Sequence, residues 1–204
     1  MKEYISKKTR LVRHGLIKIL SAPVYEYALS ARPMVRYLSE VSNNKPLVGV
    51  EIGVAGGDNS KSMLKNLNMK MLYLVDPYMM YEDGVTTHSS EFIAGFRIVC
   101  ETLAILPNVT FIQKKSEDST KEIPNGLDFV YIDGNHSYES VKRDIGLYYP
   151  KVRVGGLIGG HDFESRFVGL CSAVLEFAKE NNLTLSGGAG KNDWWIRRLE
   201  KGGK

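Results

Sequence analysis

Four stretches of the chain set carboxylates, imidazoles and glycines at intervals suited to chemistry. The first is "VGVEIGVAGGDNS", residues 48–60, where an apolar run ends on Glu51 and is followed by Gly53, Gly56 and Gly57. The second, "MLYLVDPY", ends another apolar run on Asp76. In the third, "LDFVYIDGNHSYESVKRDI", residues 127–145, Asp133 is followed three positions later by His136. The fourth, "VGGLIGGHDF", residues 154–163, carries His161 beside Asp162. Glycines after a strand let a backbone approach a ligand with no Cβ in the way. A dinucleotide fingerprint would need glycine two residues before Gly53, and that position holds Glu51, whose charge repels phosphate. Such a turn suits a cationic or hydrogen-bond-donating ligand instead. The histidine side chain ordinarily titrates near neutrality, so His136 is a candidate general base, or else a histidine that orients Asp133.

These groups need strands to present them, and the hydrophobic pattern supplies strands in alternation with helices. Apolar runs cover 47–52, 71–75, 109–113, 127–132 and 157–158. Between them lie helix patterns at 59–68, along Phe92, Phe96, Val99, Leu103 and Leu106, along Val141, Ile145 and Tyr148, and at 168–180. Near-continuous apolar strands alternating with helices imply a mostly parallel sheet covered on both faces. Two short strand patterns around 183–186 and 193–199, joined by "GGAGKN", predict a C-terminal antiparallel hairpin strand. The fold expected is therefore α/β: a Rossmann-like, doubly wound, seven-stranded sheet preceded by N-terminal helices. Residues 1–45 read as a helical appendage interrupted by Pro23 and Pro33, serving as a lid or an oligomer contact, and 46–204 as the domain proper. In such a sheet ligands bind beyond the carboxyl ends of the strands, where all four stretches fall.

In this order and spacing the stretches resemble the class I S-adenosylmethionine-dependent methyltransferases. E-x-G-x-x-x-G after the first strand is similar to their motif I. D-G-x-H-x-Y-x-x-V-x-x-D followed by G-G-x-x-x-x-H-D resembles the group that includes macrocin-type sugar O-methyltransferases and cephalosporin-hydroxylase-like proteins, over roughly residues 47–199. The resemblance implies that Glu51, Gly53 and Gly57 receive the amino-acid part of S-adenosylmethionine. It likewise implies that Asp76 holds the ribose hydroxyls, that Ser116 and Glu117 lie at the adenine, and that Asp133 also contacts the cofactor. In those relatives an acid after the fourth strand and an acid pair after the fifth hold one magnesium ion. Carried over, Asp133 and Asp162 keep their carboxylates, while His161 stands where the first acid of the pair would be. Imidazole suits magnesium poorly, so of Asp133, His161 and Asp162 the two carboxylates with water are expected to hold Mg2+, or the group to hold a softer metal, or none.

The resemblance implies an enzyme that methylates an oxygen of a small molecule, of sugar or secondary-metabolite type, with Asp133 and His136 at the reacting end. Two other readings compete with it. One is a metal enzyme of the cephalosporin-hydroxylase-like kind, using Asp133, His161 and Asp162 for iron. The other is a non-catalytic ligand-binding protein on the same fold. The loop 77–90 and the N-terminal helices are candidates for shaping the acceptor pocket. Asp144 and Arg143 read as a solvated helix face, and Trp194 and Trp195 as residues packing on opposite faces of the last strand.

Bulk properties narrow the classes further. The chain has 204 residues, 43% of them hydrophobic, enough for one well-packed domain. No apolar run reaches the length of a membrane span and no signal-peptide pattern opens the chain, so a cytoplasmic protein is expected. Cys100 and Cys171 lack metal-type spacing and suit buried thiols in a reducing compartment. Lys2, Lys7, Lys8, Arg10, Arg13 and Lys18 meet only Glu3 in the first eighteen residues, but no nucleic-acid motif accompanies them and nucleic acid is not an expected partner. Assembly as a homo-oligomer, with residues 1–45 across a neighbour's site, is compatible with the pattern.

Overall fold

The computed structural model describes residues 31–79, 90–187 and 192–200. Its centre is β1 (Leu47–Ile52), whose residues are nearly all buried because parallel neighbours flank it and helices cover both faces. β1 pairs in parallel with β2 (Met69–Val75) on one side and β4 (Leu127–Ile132) on the other. β3 (Val109–Ile112) adds to β2 and β5 (Val152–Gly160) to β4, both parallel. β7 (Trp194–Arg197) then runs antiparallel between β5 and the edge strand β6 (Leu185–Gly187). The order β3-β2-β1-β4-β5-β7-β6 is the expected seven-stranded, doubly wound sheet with an antiparallel C-terminal pair.

Helices α1 (Pro33–Ser42), α2 (Asp58–Asn66), α3 (Ser90–Leu103), the single turn α4 (Ser116–Ser119), α5 (Tyr138–Tyr148) and α6 (Val168–Glu180) complete the layers. Alternation along β4 divides the core between the two faces: Val130 and Ile132 pack with Ile145, Tyr148 and Val174, whereas Phe129 and Tyr131 pack with Met34, Met63 and Leu72. Trp194 joins the first cluster, and Trp195 lies on the other face, stacked on Tyr37 with ring centroids 5.3 Å apart, as the sequence predicts. Gly49 is required by packing, since the Phe129 ring occupies the space a Cβ would need.

Pro33 begins a helix, in the first turn where its missing N–H costs nothing. From α1, Met34, Val35 and Leu38 are buried against the sheet. The carboxylate of Asp193 (Oδ2) accepts the Met34 backbone N–H at 2.9 Å, so the chain before β7 caps α1. Cys100 and Cys171 are free thiols. Among the described residues no helix is long and apolar enough to cross a membrane. The first 30 residues, and most of the loop 77–90 expected to shape the acceptor pocket, lie outside the described residues.

Candidate active site

The strand order reverses between β1 and β4, and the crevice beyond their carboxyl ends holds the candidate site. Gly53 leaves β1 at φ +80, and a Cβ there would overlap the Asp133 carbonyl and Gly134 at the end of β4. Only glycine fits that conformation in that space, and the contact ties the first turn to the fourth strand. Asp76, at the end of β2, fixes the same turn. Its Oδ2 accepts the backbone N–H groups of Val54 at 2.8 Å and Ala55 at 3.1 Å, and Oδ1 accepts that of Tyr78 at 2.8 Å. A carboxylate oxygen can accept twice, so Oδ1 retains capacity for a ligand hydroxyl. Tyr78 turns inward, donating to the Ala55 carbonyl at 2.9 Å, while Met79 stays exposed at the cavity.

The cavity enclosed here measures about 340 Å³ and is lined by Gly53, Asp76, Ser116 and Glu117 among the predicted residues. Glu51, Gly57 and Asp133 do not line it, although Gly134, next to Asp133, does. Glu51 is only 1% exposed, its carboxylate held by Asn59 Nδ2 at 3.0 Å and by the Ser60 hydroxyl at the start of α2. Burial pushes Glu51 up to about 7 against the pull of those two donors and of Arg32. Gly57 is the left-handed residue that enters α2.

Asp144 corrects an expectation: it is no part of a solvated helix face. It is 3% exposed and lines the cavity from α5, accepting the Ser116 hydroxyl, and burial lifts it to about 6. Arg143, half exposed, lies 3.6 Å from Glu117 at the same end. The one-turn helix α4 thus presents Ser116 to α5 rather than leaving it free in a loop.

Beside the cavity, past Gly134 and Asn135, the remaining predicted residues gather. Nε2 of His136 lies 3.0 Å from Oδ2 of Asp162, and Nδ1 of His161 lies 3.0 Å from Oδ1 of the same carboxylate. Burial opposes the charge on Asp162, but the two imidazoles outweigh it and hold the group well below the usual carboxylate range. Burial also pulls His161 down, and the hydrogen bond to Asp162 with the charges of Asp133 and Asp162 leave it raised. Asp162 reaches between the rings by adopting a left-handed backbone, φ +59.

Asp133, His136 and Asp162 each offer one ligand atom, all within 4.8 Å of one another. The histidine that closes the group is His136 of the third stretch. His161, expected in that part, lies on the far oxygen of Asp162, its Nε2 3.9 Å from Asp193. Magnesium takes hard oxygen ligands in a regular octahedron. Here one of three donors is an imidazole, both oxygens of Asp162 face histidines, and Asp133 carries an arginine: Nη1 of Arg32 lies 2.6 Å from its Oδ2. As arranged, these residues do not fit magnesium. Sequence reasoning missed Arg32, which lies 101 positions from Asp133 and in no motif.

Residues 50–163 match the family model described as a methyltransferase domain. An uncharacterized protein of Acanthamoeba polyphaga mimivirus is 30% identical over 135 residues, covering 62% of this chain and 56% of its own length. The chain therefore spans little more than half of that relative. Among solved structures, the O-methyltransferase NovP superposes with a TM-score of 0.62 at 20% identity, covering 82% of this chain and 78% of NovP. The SAH-bound Podospora anserina methyltransferase PaMTH1 gives 0.61 at 13% identity, covering 93% and 88%. At these identities the likeness is one of fold.

Proposed function

The chain belongs to the methyltransferase-domain family, of the class I S-adenosylmethionine-dependent type, and from that premise we propose that it methylates an oxygen of a small-molecule acceptor. The observation that carries this is the juxtaposition of a cofactor-sized cavity with a histidine–carboxylate pair at its side. The cavity's chemistry fits the cofactor: Asp76, Glu117 and Asp144 offer carboxylates that can accept hydroxyls and an amine, and Gly53 keeps the turn open to close approach. Bound S-adenosylmethionine would supply an electrophilic methyl group on its sulfonium.

The residues of the chain then have distinct work. Asp76, Ser116 and Glu117 line the nucleoside end, and Glu51 and Gly57 hold the turn from behind. His136 accepts the acceptor's proton as the new carbon–oxygen bond forms and the carbon–sulfur bond breaks, its electron pair passing to sulfur. Asp162 stabilises the resulting imidazolium. Asp133, at the junction of cavity and pair, orients the acceptor. Holding the acceptor in line with the methyl group supplies much of the rate, since displacement demands alignment more than further chemistry. A further neighbour of the same fold, the MycE methyltransferase, is in complex with Mg and SAH; at 17% identity those ligands belong to MycE alone.

The test is transfer itself. Incubation with methyl-labelled S-adenosylmethionine and a panel of hydroxylated metabolites is expected to yield labelled methyl ether and S-adenosylhomocysteine; labelled product on nitrogen only, or on no member of a broad panel, would contradict the reading.

A further inference from the structure

Arg32 sits immediately before α1 and is brought to the end of β4 by the packing of that helix. Its Nη1 donates to Asp133 Oδ2 at 2.6 Å and to the Tyr131 hydroxyl at 3.1 Å. The Tyr131 hydroxyl in turn donates to Asp193 Oδ1 at 3.0 Å, and the other oxygen of Asp193 caps α1. The guanidinium is thus fixed from both sides, by the strand that carries Asp133 and by the carboxylate that anchors its own helix. Both of its hydrogen bonds leave from Nη1, and among the described residues neither Nε nor Nη2 has a partner. The side chain is 29% exposed and that of Asp133 18%, so the pair is partly open to solvent rather than sealed in the core.

We propose that Arg32 is the resident cation of the acceptor site: it holds Asp133, leaves Nε and Nη2 for the acceptor's oxygen, and takes the place in which a divalent ion would bridge the two. The proposal rests on the methyltransferase reading and explains why the acid group beside the cavity does not fit magnesium. An ion at Asp133 Oδ2 would lie against a fixed positive charge and would have to displace it. A guanidinium is planar and permanently charged, with several donors in a rigid fork, so it can stabilise a developing alkoxide or phenolate without a metal. Asp193, buried and reaching Arg32 through Tyr131 and the helix it caps, is a positioning residue.

The test is a manganese titration of the whole chain, followed by the electron paramagnetic resonance signal of free Mn2+, with calorimetric titration of S-adenosylhomocysteine on the same samples. Wild type is expected to take up no stoichiometric Mn2+, and Arg32→Gln to bind it at least about tenfold more tightly, an affinity lost again when Asp133→Asn is added. Guanidinium ion added to Arg32→Ala is expected to compete the Mn2+ away. Equal Mn2+ binding by wild type and Arg32→Gln, or none by a folded Arg32→Gln, overturns the proposal. If the Arg32 variants do not fold, wild type decides alone: stoichiometric Mn2+ lost in Asp133→Asn overturns it, and no uptake upholds it. Failure of wild type to bind S-adenosylhomocysteine would instead sink the methyltransferase reading, whatever the manganese result.

Discussion

Oδ2 of Asp162 lies 3.0 Å from Nε2 of His136, although the two residues belong to loops that follow different strands. Parallel pairing of β4 with β5 brings the loops together, and the His136 ring is wedged against Phe167 with centroids 4.2 Å apart. The imidazole therefore has a fixed place beside the cavity before any ligand arrives.

If His136 is the base, its loss should affect transfer and not cofactor binding. His136→Gln is expected to lower the transfer rate by about 10²–10⁴-fold on any acceptor that wild type methylates. Calorimetry with S-adenosylhomocysteine should meanwhile stay within a few fold of wild type. Equal loss of both would make His136 a structural residue of the crevice.

Glu51 gives a pH dependence of opposite sign to an ordinary surface acid. Its folded value of about 7 lies above the reference 4.5, so the folded chain holds a proton that the unfolded chain releases. The contribution is complete below about 4.5 and is lost as pH rises through about 7. Glu51→Gln mimics the protonated acid, accepting from Asn59 and donating to the Ser60 hydroxyl. Thermal melts should therefore show the variant a few degrees more stable than wild type at pH 8 and equal to it at pH 4.5.

Gly53→Ala places a side chain at φ +80 and drives its Cβ into the Asp133 carbonyl. Strain of a few kcal/mol is expected, lowering the melting temperature by about 5–10 °C. A variant that melts with wild type would mean the turn can open without cost.

Asp76→Ala removes the acceptor of three backbone N–H groups. Hydrogen bonds to a charged acceptor are worth about 1.5–3 kcal/mol each, so S-adenosylhomocysteine affinity should fall by at least about tenfold as the turn loosens. Unchanged affinity would remove Asp76 from the cofactor site.

The strands and the switch point are legible because burial on both faces writes itself as runs such as "LDFVYI", and the site acids because they follow those runs. What the residues do not reveal is direction. Glu51 precedes a glycine turn whether its side chain faces a ligand or, as here, Asn59 and Ser60. Asp144 stands among charged residues on α5, and its burial follows from α4 packing Ser116 against it across 28 positions. His136 and His161 are equally plausible partners for the acids by type; only the fold places one at each oxygen of Asp162. Arg32 is the extreme case, since an ion pair spanning 101 positions leaves no local signal in the sequence.

Whether the cavity takes the cofactor is decided by a calorimetric titration of S-adenosylhomocysteine into the purified protein, once with magnesium and once with a chelator. One-site binding in the micromolar range is expected, on the order of −8 kcal/mol, equal under both conditions. Absence of binding in either would return Gly53 and Asp76 to a purely structural turn and contradict the assignment of the cavity.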